Sequence, residues 1–427
     1  MSSSLATIRE RFSWALGDYR EETSSSAGAA DGTTVVATAL KDKQDDYYNG
    51  MYVKVTSGTY TGTRFISDFA QSTGTITVLA AFGGQIATSV TFELHRFNPD
   101  YKDIAIQESI RENFPSGFFK RFVNDNLITG DWLRNGSFET WSQATYPDSW
   151  SKSANLTCAA ETTTKKYGTN ALKTTNAAAT QTLDQTEVQA PELLDLRDIS
   201  VTFRAWCKTN TASHVRLVII TIDDAGTTTT TNGDYHTGSD RWALLEVEAS
   251  IPSDVRSITF RLSCVVNAAV AYWDLARATG KTKHDYFLPA NTERLTEVLY
   301  QVSGGQDEEP CDDLASDSAF AYVRQWETLE LTNRVLRIES SLPENRKLRM
   351  KGLTPCPVPT TDAATTEIDS SASDYLLALA AINFLDRVHG EWPAKDRAWL
   401  DGERGRWQAE ATRLRIHHHK MPPIQLR

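Results

Sequence analysis

Apolar positions recur at helical spacing near the two ends of the chain and at every second residue through most of its length. Leu5, Ile8, Phe12 and Leu16 form one stripe on a short helix that Gly17 is placed to end. From Thr33 to Leu94 the period falls to two, in Thr34–Ala37, Met51–Val55, Thr63–Ser67, Thr75–Leu79 and Val90–Leu94. Turns at Asn49-Gly50, Ser57-Gly58, Thr61-Gly62 and Gly83-Gly84 separate these runs and predict a small antiparallel barrel or sandwich. Ile106, Ile110 and Phe114 then predict a helix that follows Pro99 and stops before Pro115, with a further apolar patch at Phe118, Phe119, Phe122 and Val123.

Between Asn135 and Asp274 almost nothing has helical spacing. Ile258, Phe260, Leu262, Cys264 and Val266 alternate with Thr259, Arg261 and Ser263, the mark of a half-buried strand, and Ile199–Ala205 and Val215–Ile222 repeat it. This stretch reads as a complete β-sandwich. Beyond it come strand-like Leu295–Val302, an acidic loop from Asp307 to Asp317, and strands at Tyr322–Trp326, Thr328–Thr332 and Lys347–Lys351. Pro355, Pro357 and Pro359 make a stiff connection. A Ser371-x-x-Asp374 pattern opens a helix with a broad apolar face from Leu376 to Val388, ended by Gly390. A second helix, Pro393 to Arg415, completes an αα-hairpin, and a short basic tail follows.

At 427 residues, two or three domains are expected. No apolar run approaches the roughly 20 residues that cross a bilayer, and Met1–Leu5 shows no secretory pattern. Five scattered cysteines without a Cys-x-x-Cys argue against a disulfide framework or a zinc site and for a reducing cytoplasm. A net charge of −11 argues against a general nucleic-acid coat.

Asn135-Gly-Ser-Phe-Glu139-Thr-Trp141, the turn Pro147-Asp-Ser-Trp150 and the closing Tyr272-Trp-Asp274 together resemble the galactose-binding-like jelly roll of many carbohydrate-binding modules. With residues 133–280 removed, the rest resembles the head-to-tail adaptor (connector) proteins of tailed bacteriophages. The helix Ile8–Leu16, Asp103–Pro115, Asp285-Tyr-Phe-Leu-Pro289 and the helix Asp374–Asn383 carry this second resemblance. The two together imply an α+β multidomain chain. An adaptor core of helices with a small β-barrel or sheet (1–132 and 281–427) is interrupted by an antiparallel β-sandwich jelly roll (133–280). The adaptor resemblance implies a virion protein made in the host cytoplasm, forming a ring, commonly dodecameric, under the portal protein. That ring meets a neck, tail-completion or stopper protein, passes genomic DNA through its lumen, and carries no catalysis.

In that reading Leu377, Phe384, Trp399, Trp407, Arg413, Arg415, Lys420 and Arg427, on the hairpin and tail, form the ring and portal interface. Glycan-stacking candidates are the sandwich aromatics Trp141, Tyr146, Trp150, Trp206, Tyr235 and Trp242, with Tyr235, Trp150 and Trp242 put forward; aromatics in a thin sandwich also serve as core. Glu139 and Asp274 match the acids that hold a structural Ca²⁺ in such modules, against a reading as surface carboxylates or caps. His417-His418-His419 reads as structural or interfacial, since neighbouring helix positions point apart. No motif pairs two carboxylates at the roughly 5–10 Å that glycoside hydrolysis needs, which disfavours a secreted polysaccharide-degrading enzyme. The alternative to the adaptor is a peripheral receptor- or glycan-binding virion protein acting through the jelly roll.

Overall fold

The computed structural model describes residues 3–289, 292–302, 319–330, 334–368, 370–390 and 397–418. Strand outweighs helix, 39% to 19%, which overturns the expected α+β architecture with a core of helices. Phe118–Val123, read as an apolar patch behind a helix, instead begins the strand Phe119–Ile128. Residues from Asp285 to Pro355 supply six further strands in two sheets. Their apolar side chains meet around Tyr286, Val298, Leu336, Leu348 and Met350. The predicted acidic loop lies wholly outside the described residues, as does the His419 end of the histidine run.

The chain divides into two compact units. The first comprises Met1–Lys120 and Thr354–Leu426. It holds a six-stranded sheet in the order Arg20–Thr23, Thr91–His95, Tyr52–Val55, Gly62–Ala70, Thr75–Val78 and Thr34–Val36. It also holds helices α1 (Leu5–Ala15), α2 (Pro99–Glu112), α3 (Ser370–His389) and α4 (Arg397–His418). The Ser4 hydroxyl caps α1 by accepting the Thr7 N–H, and the chain leaves the helix through Gly17 at φ +65°. The α1 stripe packs into a core shared with α2 and α3, with the Phe12 and Phe384 rings edge-on at 5.5 Å.

A charged residue sits within that stripe. Arg9 is fully buried, donating to Glu93 from Nε and Nη2 at 2.9 and 3.0 Å, to Asp103 at 2.9 Å and to Asp362 at 2.7 Å. His95 Nε2 lies 2.9 Å from Glu93, and Lys54 donates to Asp103 at 2.9 Å.

This core corrects part of the interface expectation. Leu377 and Phe384 are buried in it and unavailable to a ring neighbour or a portal, and Trp407 is partly buried against it. Trp399 is 45% exposed with its ring stacked on Phe97 at 6.3 Å. Arg413 pairs with Glu410 on its own helix, and Arg415 is exposed. Lys420 and Arg427 lie outside the described residues.

The second unit, from Arg121 to Leu353, contains the sandwich. Its strands are β1 (Ser151–Lys152), β2 (Leu156–Glu161), β3 (Ala171–Asn176), β4 (Gln181–Thr186), β5 (Ser200–Lys208), β6 (Val215–Asp223), β7 (Thr228–Asn232), β8 (Ala243–Ser250), β9 (Val255–Cys264) and β10 (Val270–Thr279). They form two antiparallel five-stranded sheets: a front sheet ordered β2–β3–β10–β5–β8 and a back sheet ordered β7–β6–β9–β4–β1. From β3 onward the chain changes sheet at nearly every step, as jelly rolls do.

Val201, Phe203, Ala205 and Cys207 of β5 face inward and meet Ile258, Phe260 and Leu262 of β9, with Phe203 and Phe260 edge-on at 5.3 Å. Full burial of one such side chain stabilises by about 1.5–3 kcal/mol. The two ends of the sandwich are tied together. The Trp132 N–H donates to the Ala278 carbonyl at 2.9 Å, and the Ala278 N–H donates to Asp131 Oδ1 at 3.0 Å.

Candidate functional site

Alternation decides which side chains of the front sheet look outward. In β5, Trp206 and Lys208 face out while Ala205 and Cys207 face in; in β10, Tyr272 faces out between the inward Ala271 and Trp273. Register then assembles them. Lys173 of β3 lies opposite Tyr272, Tyr272 lies opposite Lys208, and Trp206 lies opposite both Asp274 and Leu244. Trp242 directly precedes β8, whose Ala243 pairs with Cys207. With strands about 4.8 Å apart, the row Lys173–Tyr272–Lys208 spans about 10 Å.

Trp206, Tyr272 and Trp242 are all partly exposed. The Lys166 ammonium stands 4.4 Å from the centre of the Trp206 ring and that of Lys173 5.9 Å from Tyr272, both within cation–π reach. Lys208 has Asp240 at 3.7 Å, a carboxylate that is 67% exposed. The outward side of the front sheet thus carries rings and ammonium groups together with the carboxylates of Glu246, Glu248 and Asp240.

The loop bordering this strip is held by the two acids of the calcium expectation. Glu139 accepts the backbone N–H groups of Thr169 (2.7 Å) and Asn170 (3.2 Å). Asp274 accepts those of Lys166 and Tyr167, each at 2.9 Å on Oδ2, and that of Leu275 at 2.8 Å on Oδ1. Gly168, at φ +73°, passes so close that a Cβ would lie 1.8 Å from Glu139 Oε1. Burial pushes the Asp274 carboxyl up to about 7 against these amide bonds, and the nearby Glu139 charge adds to the rise; burial also raises Glu139. Calcium takes six to eight oxygen ligands. Here all four carboxylate oxygens face N–H groups, and the described residues contain no cluster of three or more metal-ligating side chains. This arrangement does not fit Ca²⁺; it is an amide clamp that shapes the loop. Tyr167 at the loop tip bonds Asp125 through its hydroxyl at 3.2 Å, and Asp125 is ion-paired with Arg349 at 2.9 Å.

The three glycan candidates separate. Trp150 is 2% exposed, with its ring 5.5 Å from Phe138 and its indole N–H donating to the Asn135 carbonyl; it is core, because the Pro147–Trp150 turn folds the ring back under the sandwich. Tyr235 is 37% exposed under the Arg216 guanidinium at 4.7 Å, beside the back sheet. Trp242 is the member that adjoins the front row. Tyr272 and the lysines at 166, 173 and 208 were not among the expected site residues. The only local signal for them is that Tyr272 alternates with a core tryptophan, and Lys208 stands two residues from Trp206.

A larger cleft, of about 590 Å³, opens beside Trp132, Arg134, Glu192, Lys281, Lys283 and Phe287. Several of its charged groups are already engaged. Arg134 pairs with both oxygens of Glu192 at 2.6 Å and covers the Phe287 ring at 3.9 Å, while Lys283 donates to the Asp131 carbonyl at 2.7 Å. It offers no open ring.

No family model matches the chain, and no curated protein matches it. Among solved structures it is similar to the CBM22-1 xylan-binding domain of Paenibacillus barcinonensis Xyn10C, at 15% identity and TM-score 0.29, over 36% of this chain and 97% of that one. The CBM22-1-CBM22-2 tandem of the same protein matches at 14% identity and TM-score 0.29, over 57% of this chain and 97% of that one. The enzymatically active domain of bacteriophage CBA120 tailspike protein 4 matches at 9% identity and TM-score 0.26, over 36% of this chain and 22% of that one. The resemblance to head-to-tail adaptors, with its portal and dodecamer, draws no support from these neighbours. By its own strand order the sandwich is a jelly roll.

Proposed function

We propose that this protein binds glycans through the outer face of the front sheet, with Trp206 and Tyr272 as stacking surfaces and Trp242 at the edge. The observation that carries the reading is the register that sets two partly exposed rings on neighbouring strands of one sheet, both facing outward. Flat rings flanked by hydrogen-bonding groups suit the apolar faces and hydroxyl edges of sugars. Of the two virion readings, the peripheral receptor or glycan binder is the one this face supports, since such a protein would present the strip to host-surface sugars.

Affinity electrophoresis through a panel of polysaccharides tests the reading. At least one polymer should retard the protein, and Trp206→Ala/Tyr272→Ala should weaken that binding about tenfold or more, from about 0.5–1.5 kcal/mol per ring contact. The melting temperature should hardly move, because both rings lie outside the core. Retardation unchanged in the double variant, or no retardation by any polymer, overturns the reading.

A further inference from the structure

We infer that the Lys166 side chain is a displaceable cover on Trp206, so that a sugar reaches that platform only by exchanging with the ammonium; the inference rests on the glycan-binding reading above. Its basis is where the loop puts the lysine. The ammonium stands 4.4 Å from the centre of the Trp206 ring, inside the roughly 6 Å reach of a cation–π contact. The C–H face of a sugar is drawn to the same negative ring face, so the two compete.

The lysine is there because its backbone is held there. Asp274 lies directly across from Trp206 in the register, and its Oδ2 accepts the Lys166 N–H at 2.9 Å. Tyr167 donates its N–H to the same oxygen at 2.9 Å and its hydroxyl to Asp125 at 3.2 Å, with the Lys347 ammonium 3.0 Å from the centre of its ring. Gly168 then leaves no room for a Cβ beside Glu139. With the backbone fixed in this way, uncovering the ring needs only a new rotamer of the long lysine stem. Apparent affinity falls by the fraction of molecules in which the ring stands uncovered, which for a contact of this kind is a factor of about two to five. The bonds that hold the loop here come from backbone N–H groups, so substitution of the Lys166 side chain keeps them.

The test compares the full chain with Lys166→Ala and Lys166→Arg by affinity electrophoresis through xylan, a β-glucan and a galactomannan. Neutral polymers keep the lost charge out of the comparison. Acrylamide quenching of tryptophan fluorescence is followed in parallel without polymer. Lys166→Ala should bind about two- to fivefold tighter and be quenched more. Introducing Trp206→Phe into both backgrounds should abolish that difference in quenching, which assigns it to this ring among the 11 tryptophans. Lys166→Arg should bind more weakly than the native chain, because a guanidinium stacks on an aromatic face better than an ammonium does. Melting temperatures should agree across the three.

Weaker or unchanged binding by Lys166→Ala overturns this inference and leaves the glycan reading standing. Equal quenching of Lys166→Ala and the native chain overturns it too, since the ring was then never covered. No retardation of any variant by these polymers overturns the inference, and none by acidic polymers either overturns the glycan reading with it.

Discussion

Arg9→Met keeps the length of a buried side chain and deletes its charge. Glu93 then loses two hydrogen bonds and keeps His95, Asp103 keeps Lys54, and Asp362 loses a 2.7 Å bond. Removing one partner from a buried ionic set typically costs about 3–5 kcal/mol. The carboxylate side supports that size. Burial alone would raise Glu93, yet hydrogen bonds from His95 and Arg9 overcome it and bring the group down from 4.5 to about 2. Two and a half units at about 1.36 kcal/mol each make about 3 kcal/mol, shared between His95 and Arg9. For a unit of this size the variant should melt about 6–20 °C lower in calorimetry.

Hydrogen exchange should show the loss in α1 and in the strand Thr91–His95, and leave the sandwich strands protected. The pH dependence has a definite sign. A depressed folded-state pKa gives stability that is present above about 4.5 and lost as pH falls toward about 2. The penalty of Arg9→Met should therefore shrink across that window, because a protonated Glu93 no longer needs the cation. A melting shift below about 2 °C at neutral pH, or a penalty equal at pH 7 and pH 3, would show that Glu93 does not depend on Arg9.

Gly168→Ala should cost about 1–3 kcal/mol and weaken polysaccharide binding, since the left-handed backbone and the Glu139 carboxylate both exclude a Cβ; unchanged binding and melting would show that the loop tolerates another path. Cys158, Cys207, Cys264 and Cys356 are buried, and burial drives the Cys158 and Cys264 thiols up to about 12. Iodoacetamide should leave these four unmodified in the native protein and alkylate them after unfolding, as read by peptide mass spectrometry. Rapid native labelling of any of the four would mean the cores open far more often than their packing allows.

Local alternation carries the strands of the sandwich. The period-two runs at Val201–Cys207 and Ile258–Cys264 are the inward rows of β5 and β9, because a half-buried strand leaves no other pattern. The α3 face from Leu376 to Val388 was equally plain, but its partner was not. An apolar helix face looks the same whether it meets another subunit or, as here, α1 and α2 of its own chain. Trp150 misled for a related reason: a turn sequence shows where the chain bends, and the direction of the ring depends on the sheet beneath. The site row was least legible, since Lys173, Tyr272 and Lys208 sit on three strands far apart in sequence and meet only through pairing register. The fold class went wrong where the strands between Asp285 and Pro355 were given less weight than two conspicuous helices.

The tie between Trp132 and Ala278 makes the sandwich a cassette. Its two ends leave the same point, already bridged by one backbone hydrogen bond and one bond to the Asp131 carboxylate, so the flanking chain meets the residues between them as little more than a hairpin. Closure entropy grows only logarithmically with loop length, and here the closing contact is made by the module itself.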